Sequence, residues 1–595
     1  MERFFRTTVL LAICCAFIAC GDKDNGPENT DPGNGGTPEP VTFSITPVEK
    51  LNQGTLAVNS HAGVVSRSSL KMNFRSYIEL DNSSLGVDKP HYPRIKKMAN
   101  GNYIMFFHNN QIGASCYYAV AQNLKSWTPK GKLFSNYSIT DSKGNANERR
   151  FSNCDALVLS NGNILAVASY RADKGYKELP LDAGIALSVS TDNGARWSAP
   201  VEIYQGVNWE PYLLELPSGE IHCYFTDSNR TNTNATDTGT AMIVSKDGGK
   251  TWTPAFSNPP YYVIRMKWEQ DGNTYFNHQM PSVIKLNGGN KLAAAMETNY
   301  FGKYYISFAY SPENGEWQHL NMDQEGPVDS DNLSFEGSAP YLVQFPSGET
   351  VVSYNKSSTF YMKMGDVGAQ NFGEAYAPFS GGGFWGSLQT DGSHQLLGIM
   401  PHTSTGKIML AQFILNHRIE AVRRSVKVDS DNSEWANTDH ALFVGGKSQA
   451  QATLRCAFDN DNLYFLAEVL DKDIAKDDYT EIFICPVTDD DKLTDKACRI
   501  RVSHDGLRST GIYENGWKDA NLGVSASAVF EGTISRNHDE DHGYFVEISI
   551  PRSKLSIKEG ELLVNFSISD NQGGLDAIHD TSSTNTAKWI PITGL

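Results

Sequence analysis

The chain has 595 residues, of which 40% are hydrophobic and 20% charged, and its formal net charge is −17. This composition supplies enough apolar surface for complete cores and excludes a disordered chain or a coiled coil. The acidic balance repels polyanions, which argues against nucleic acid as a partner and favours a neutral ligand.

The first forty residues predict export rather than a folded element. Arg3 and Arg6 precede an apolar run that ends at Cys20, so residues 1–20 are predicted to be a signal peptide. The ending FIAC resembles a bacterial lipobox, which implies that Cys20 carries a lipid. Residues 21–40 are rich in Gly, Pro, Asp and Asn and are expected to form a flexible tether, as in surface lipoproteins of gut Bacteroidetes. We therefore expect a secreted lipoprotein of the outer membrane, on the cell surface or on the periplasmic face, that contacts the membrane through its lipid only.

Residues 41–84 are expected to be an extension that packs on the domain formed by residues 85–415, where one hairpin pattern recurs. Each copy has an apolar run, a polar turn with glycine and a second apolar run. The six turn glycines are Gly101, Gly162, Gly219, Gly289, Gly348 and Gly392. Their spacing fits one four-stranded sheet and a loop per copy, so the sequence predicts an all-β fold with a six-bladed β-propeller.

A second pattern, SxDxGxxW, occurs at residues 190–197 and 245–252. It resembles the Asp box of sialidase-type propellers. We expect the aspartate to accept backbone N–H bonds across a tight turn, the glycine to take a positive φ, and the tryptophan to pack between blades. The motif predicts a fold and not a reaction.

The repeat stops after residue 415. Residues 416–424 are predicted to be a linker and residues 425–595 a β-sandwich. The stretch AFDNDNLYFLAEVLDKD resembles family 9 carbohydrate-binding modules. This resemblance implies sugar binding by aromatic stacking, for which Trp435, Trp517 and Trp589 are candidates, and a structural calcium near Asp471 and Asp473.

Residues at the ends of the repeated hairpins are expected to face one central pocket of the propeller. Glu210 and Glu297 stand at such ends in blades 3 and 4, and a glycosidase needs a protonated and an ionised carboxyl. No metal or cofactor is expected in this site. The expected substrate-binding residues are Arg94, Asp155, Tyr170, Arg171, Trp209, Tyr212, Asp227 and Trp385.

The string VNWEPYLLELPSGEIHCYFTDS resembles family 93 glycoside hydrolases, which are retaining exo-α-1,5-L-arabinanases. The resemblance implies that Glu210 is the acid/base and Glu297 the nucleophile of a monomeric enzyme acting on a neutral poly- or oligosaccharide. Retention requires the two carboxyl groups to lie about 5–5.5 Å apart.

Two alternatives remain open. An exo-sialidase shares the Asp boxes but needs three arginines for the substrate carboxylate and a tyrosine nucleophile. A surface glycan-binding lipoprotein without activity needs only the sugar-binding surfaces.

Overall fold

The computed structural model describes residues 49–595 apart from 110–113, 229–237, 328, 437, 439–441, 447–449 and 537–539. The predicted signal peptide, Cys20 and the tether lie outside the described residues. The described chain divides into two compact units, residues 49–66 with 75–414 and residues 67–74 with 415–595. No helix among these residues is long and apolar enough to span a membrane.

The first unit consists of antiparallel sheets arranged as blades. Blade 1 is formed by His91–Lys97, Tyr103–His108, Cys116–Asn123 and Ser126–Phe134, and blade 2 by Ala146–Val158, Ile164–Ala172, Gly184–Ser190 and Val201–Gln205, with Tyr137–Thr140 added. Blade 3 is formed by Asn208–Glu215, Ile221–Asp227, Gly239–Ser245 and Tyr261–Ile264, and blade 4 by Gln279–Lys285, Leu292–Tyr300, Lys303–Tyr310 and Ser330–Glu336. Blade 5 contains Ser338–Gln344, Thr350–Lys356 and Thr359–Gly365; blade 6 contains Ser387–Asp391, Gln395–His402, Lys407–Asn416, Ser69–Leu80 and Thr55–Ala57.

The first strand of each blade contacts the first strand of the next blade, and the strand of blade 6 contacts that of blade 1. This ring closes the predicted six-bladed propeller. Apolar clusters lie between successive blades; the cluster between blades 2 and 3, for example, contains Val167, Leu187, Cys223 and Phe225. Burial on both faces of each sheet explains why the strands read as nearly continuous apolar runs.

The structure corrects the predicted role of residues 41–84. Residues 75–80 and Thr55–Ala57 are strands of blade 6 and not an extension packed on the propeller. The strand Ser69–Leu80 thus pairs with Lys407–Asn416, so blade 6 is built from both ends of the propeller sequence. The short helix Asn82–Leu85 follows, capped by Asp81.

The two SxDxGxxW turns make the expected hydrogen bonds. Asp192 accepts the N–H of Arg196 at 2.8 Å, and Asp247 accepts the N–H of Thr251 at 2.9 Å. Gly194 has a φ of +77°. Trp197 of the first turn packs edge-on against Phe106 of blade 1, with ring centroids 5.9 Å apart.

The second unit is a sandwich of two sheets. One contains Ile419–Glu420, Ile590–Thr593, Leu562–Asp570, Tyr479–Cys485, Cys498–Ser503, Gly506–Tyr513 and Trp517–Asp519, with Gly574–Ala577 at Leu562–Asp570. The other contains Val422–Arg423, Gln451–Phe458, Asn462–Leu470, Gly543–Pro551 and Ser525–Glu531, with Leu442–Gly445 at Gln451–Phe458. One apolar core that includes Phe465, Ile482 and Ile548 lies between the sheets. The segment 416–424 supplies a strand to each sheet, so it belongs to the sandwich and is not the predicted linker.

Candidate active site

A left-handed residue stands near the start of the innermost strand in five blades and in the middle of the long innermost strand Ala146–Val158 in blade 2. These residues are Tyr92, Asn153, Glu210, Met280, Ala339 and Trp385, with φ between +48° and +62°. In blades 1 to 5 the pairing with the second strand shifts register at this point, which defines a bulge. We call these positions the bulge ring.

The bulge ring converges on the centre of the propeller. Tyr92 of blade 1, Met280 of blade 4, Ala339 of blade 5 and Trp385 of blade 6 pack in one apolar cluster. Blades 1 and 4 are opposite in the ring, so contact between them is possible only near the axis. Glu210 occupies the blade 3 position, in a conformation that costs a non-glycine residue energy and is concentrated at functional sites.

Glu210 is held in its protonated form at neutral pH. The side chain is only partly exposed, and burial, followed by the neighbouring charge of Glu297, raises the pKa of its carboxyl from 4.5 to about 8. A 3.0 Å hydrogen bond from the Thr226 hydroxyl and the charge of Arg171 oppose this rise. A carboxyl that keeps its proton at pH 7 is suited to general-acid catalysis.

Glu297 lies on the second strand of blade 4, paired with Gln279. Its Oε2 accepts the N–H of Ala339 in the bulge ring at 2.7 Å, which opposes the rise of its pKa caused by burial. Among the described residues no group donates a hydrogen bond to Oε1. Glu297 therefore has one oxygen fixed between blades and one that is available to a substrate.

The same interblade contact occurs in the neighbouring blades. Thr226 Oγ1 accepts the N–H of Met280 at 2.8 Å, and Asn355 Oδ1 accepts the N–H of Trp385 at 3.0 Å. A threonine or an asparagine is enough for this contact. A glutamate at this position provides, in addition, a carboxylate beside Glu210.

Arg171 is the cation next to Glu210. Its guanidinium lies 3.8 Å from the ring centroid of Trp209 and 5.0 Å from that of Tyr176. Its Nη1 is buried without a hydrogen-bond partner among the described residues. Burial lowers the pKa of Arg171 to about 10, which leaves it charged at neutral pH. This unpaired N–H is a donor ready for a ligand oxygen.

Aromatic and imidazole side chains of blades 1 and 6 form a wall beside the bulge ring. His91 stacks on His108 with centroids 5.9 Å apart and meets Trp385 edge-on at 5.3 Å. Burial lowers the pKa of both histidines to about 4, so both are neutral at pH 7. The wall is therefore uncharged, as suits a neutral sugar face.

Arg94 and Asp155, predicted as substrate ligands, are instead structural. Both side chains are almost fully buried, at 2% and 3% exposure, and stand two residues beyond the bulge ring along their strands. The Asp155 carboxylate forms an ion pair with Lys96 at 3.0 Å and accepts the Tyr341 hydroxyl at 3.3 Å. Arg94 Nη1 donates to the carbonyls of Pro93 and Trp385 at 2.9 Å. These contacts join blades 1, 2, 5 and 6 beneath the bulge ring, so the structure gives both side chains a role in holding the blades together.

Two further predicted ligands are core residues, and a third packs against the core. Tyr170 is 1% exposed and donates to Glu202, and Asp227 is 4% exposed and accepts from Tyr204. Tyr212 lies in the same layer as Asp155 and meets Tyr341 edge-on. Of the predicted set, the structure places Glu210, Glu297, Arg171, Trp209 and Trp385 at or beside the bulge ring.

Asn153, Ala339, Tyr176 and the His91–His108 pair were not predicted as site residues. A sequence signal for the bulge ring exists. Its members stand nine residues before the turn glycine in blades 1 to 5, and in blades 1, 3, 4 and 5 a proline follows. Arg94 and Asp155 stand seven residues before that glycine, two positions further along the strand.

In the sandwich unit, two of the three tryptophan candidates are core residues. Trp435 and Trp589 are each 1% exposed, and Trp435 donates to Glu547 at 3.0 Å. Trp517 is partly exposed and lies on Phe483, with Arg499 5.6 Å from its ring centroid. It remains the candidate for stacking on a sugar.

The acidic loop predicted to hold calcium contains a cluster of carboxylates. Asp471, Asp478 and Asp570 are buried, and one oxygen from each lies within 4.8 Å of the others. Burial and the charges of Asp570 and Asp473 raise the pKa of Asp478 to about 6. These buried carboxylates repel one another, and carboxylate oxygens are the ligands that a hard cation such as Ca²⁺ binds.

Comparison with known proteins gives the following likenesses. A search of curated proteins found no match. A protein of unknown function from Dyadobacter fermentans is 16% identical, with 58% of this chain and 99% of that one covered and a TM-score of 0.44. The family 93 α-L-arabinofuranosidase of Fusarium graminearum, solved with arabinobiose, is 16% identical, with 57% and 97% covered and a TM-score of 0.41.

The sandwich has its own likenesses. A family 9 carbohydrate-binding module from Caldicellulosiruptor kristjanssonii, solved with cellotriose, is 19% identical, with 30% of this chain and 92% of that one covered and a TM-score of 0.24. Residues 428–590 match the model of the carbohydrate family 9 binding domain-like family. The matched residues lie within the sandwich unit.

Proposed function

We propose that the propeller is an exo-acting retaining glycoside hydrolase for a neutral polysaccharide, similar to exo-α-1,5-L-arabinanases. The observation that carries the proposal is the pair of glutamates at the bulge ring, of which Glu210 keeps a proton at neutral pH in the field of Glu297. Environments that separate the roles of two carboxyl groups are the requirement of glycosidase chemistry.

In the first step, Oε1 of ionised Glu297 attacks the anomeric carbon while the bond from that carbon to the leaving oxygen breaks. Glu210 transfers its proton to the leaving oxygen and becomes a carboxylate. In the second step Glu210 takes a proton from water, the water oxygen attacks the same carbon, and the bond to Glu297 breaks. Two inversions give net retention and return Glu210 to its acid form.

The Ala339 N–H assists this cycle by holding Glu297 Oε2 in place, which directs Oε1 to the substrate. Arg171 Nη1 donates to a sugar oxygen, and its charge limits the rise of the Glu210 pKa. Trp209 supports Arg171 from below, and Trp385 with the neutral imidazoles presents an uncharged face to the sugar.

The described arginines of the propeller do not favour the sialidase alternative. Several of them already pair with carboxylates: Arg94 with Asp155, Arg149 with Glu202, Arg150 with Glu148 and Arg196 with Asp192. A sialoside carboxylate requires several free guanidinium groups. Among the described residues beside Glu210, Arg171 alone does not supply them.

The test is digestion of linear α-1,5-arabinan with analysis of the released sugars by chromatography and of their first-formed anomer by proton NMR. We expect arabinobiose with the α configuration. Glu210→Gln and Glu297→Gln should each lower kcat at least a hundredfold, whereas Glu313→Gln, whose side chain is 80% exposed, should leave it unchanged. Full activity of Glu210→Gln or a β product defeats the proposal.

A non-catalytic glycan-binding propeller is the second candidate. It is favoured by the contact from Ala339 to Glu297, because Thr226 and Asn355 make the same contact with no catalytic role. This candidate predicts that the wild-type protein binds glycans but releases no sugar from any of them.

For the sandwich we propose sugar binding at Trp517 and a structural calcium held by Asp471, Asp478 and Asp570. For the N-terminus we propose that lipid on Cys20 anchors the chain to the outer membrane, on the basis of the sequence pattern. Loss of radiolabelled palmitate incorporation in Cys20→Ser, with unchanged expression, tests the anchor.

A further inference from the structure

An aromatic surface outside the bulge ring has no role in the proposed chemistry. A hairpin formed by Met266–Gln270 and Asn273–Asn277 precedes the first strand of blade 4. Its Trp268 stacks on Tyr275 at 4.8 Å, meets Tyr300 edge-on at 5.6 Å and lies 5.0 Å from Phe301. We call Trp268, Tyr275, Tyr300 and Phe301 the blade 4 platform.

The platform is open to solvent on one side. Phe301 is 54% exposed, Tyr275 and Tyr300 are partly exposed, and Trp268 forms the buried base at 8%. An exposed patch of several large aromatic rings, held rigid by mutual stacking, is typical of a ligand-binding surface and is not needed for packing. Phe301 takes a left-handed conformation with φ +50°, which places this ring at the tip of the turn.

The platform is continuous with the candidate active site. Glu297 and Tyr300 are on the same strand, Leu292–Tyr300, and Phe301 follows directly. At about 3.3 Å per strand residue, Phe301 lies roughly 13 Å along the chain from Glu297. The Asn277 side chain of the hairpin donates to the carbonyl of Asn299, which fixes the hairpin to the end of this strand. A few linked sugar rings span this distance.

We propose that the blade 4 platform is a distal subsite that binds the part of a polysaccharide chain beyond the sugars at Glu210 and Glu297. The occupant is a carbohydrate chain, since the platform continues from the two carboxyl groups and presents flat apolar rings without a buried charge. This inference deepens the proposed function and rests on it for the direction of the chain, but sugar binding by the platform is measurable without catalysis.

The experiment uses the full chain with Trp517→Ala in every protein, so that the sandwich does not dominate binding. Affinity electrophoresis in gels containing linear arabinan, xylan, galactan or β-glucan compares this parent with Phe301→Ala and Tyr275→Ala. Val367→Ala is the matched control, since Val367 is equally exposed at 54% and lies against Gly348, in a hairpin turn of blade 5.

We expect one of the polysaccharides to retard the parent, and Phe301→Ala and Tyr275→Ala to weaken the apparent affinity about tenfold, while Val367→Ala behaves like the parent. In hydrolysis, the two platform variants should raise KM for a long oligosaccharide and leave the rate on an aryl glycoside unchanged. Equal retardation of the parent and both platform variants, or no retardation in any gel, overturns the proposal. Retardation lost in the variants without any hydrolysis by the parent keeps the platform and removes the proposed enzyme.

Discussion

Glu210→Gln should stabilise the propeller at neutral and alkaline pH although it removes the catalytic acid. Folding raises the pKa of this carboxyl from 4.5 to about 8, so the folded state binds the proton more tightly than the unfolded state. The stability that this proton contributes is complete below pH 4.5 and is lost as the pH rises through 8. Glutamine stays neutral, so the variant avoids that loss.

The magnitude follows from the pH interval. Between the unfolded pKa of 4.5 and pH 7, at about 1.36 kcal/mol per pH unit, keeping a fully buried carboxyl protonated costs up to about 3 kcal/mol of stability. Because the Glu210 side chain is partly exposed, we expect about 2 kcal/mol, and a difference close to zero at pH 4. The hydroxyl of Thr226 can still donate to the amide oxygen of the glutamine, so no buried donor is orphaned.

The assay is urea unfolding at pH 4, 5.5, 7 and 8.5, followed by tryptophan fluorescence and fitted separately for each transition, because two units can unfold independently. Glu313→Gln controls for the loss of one surface charge. If wild type and Glu210→Gln differ equally at all pH values, or if the variant is less stable at pH 7, the carboxyl is not held protonated and the assignment of the acid fails.

Three other outcomes are expected. Asp155→Asn should lower the free energy of unfolding by about 3 kcal/mol in urea titrations, because it leaves Lys96 and Arg94 without their carboxylate; a loss of catalysis with unchanged stability would instead make Asp155 a substrate ligand. Calcium at a hundred times its Kd should stabilise the sandwich by about 2.7 kcal/mol in calorimetry, with no effect of calcium on Asp478→Asn; an equal response of both proteins argues against the site. Trp517→Ala should abolish glycan binding by the sandwich in calorimetric titrations without changing its melting temperature, and retained binding excludes this face.

The blade number was predictable from sequence because each blade carries its own local hairpin with a glycine of positive φ in the turn. In blade 4 this glycine is Gly288, next to the predicted Gly289. The pairing of strands that are far apart in the sequence was not predictable. The strand Ser69–Leu80 completes blade 6 by pairing with Lys407–Asn416, and alternation within a strand does not identify its partner. For the same reason the short strands at 419–423 read as a charged linker.

The candidate site was predictable in part. Glu210 and Glu297 stand at strand ends, where side chains of several blades meet. The sequence did not show how deep each residue lies along the propeller channel. Arg94 and Glu210 both lie near the start of an innermost strand, but the bulge puts residues two positions apart in different layers. Arg94 consequently pairs with Asp155 below the pocket, while its neighbour Tyr92 lies in the bulge ring.

Aromatic residues in the sandwich show a related limit. Trp435 and Trp517 are both flanked by polar residues in the sequence, but only the fold shows that the first donates to Glu547 in the interior. Side-chain type indicates that stacking on a sugar is possible, whereas exposure depends on how two distant strands pack.

Trapping of the covalent intermediate is the sharpest test of Glu297 as the nucleophile. The wild-type protein is incubated with an activated 2-deoxy-2-fluoro glycoside of arabinose and analysed by intact and peptide mass spectrometry. We expect one added glycosyl group, located on Glu297 and absent from Glu297→Gln, since a retaining enzyme passes through a glycosyl ester. A label on any other residue, or turnover of arabinan by Glu297→Gln at the wild-type rate, contradicts this assignment.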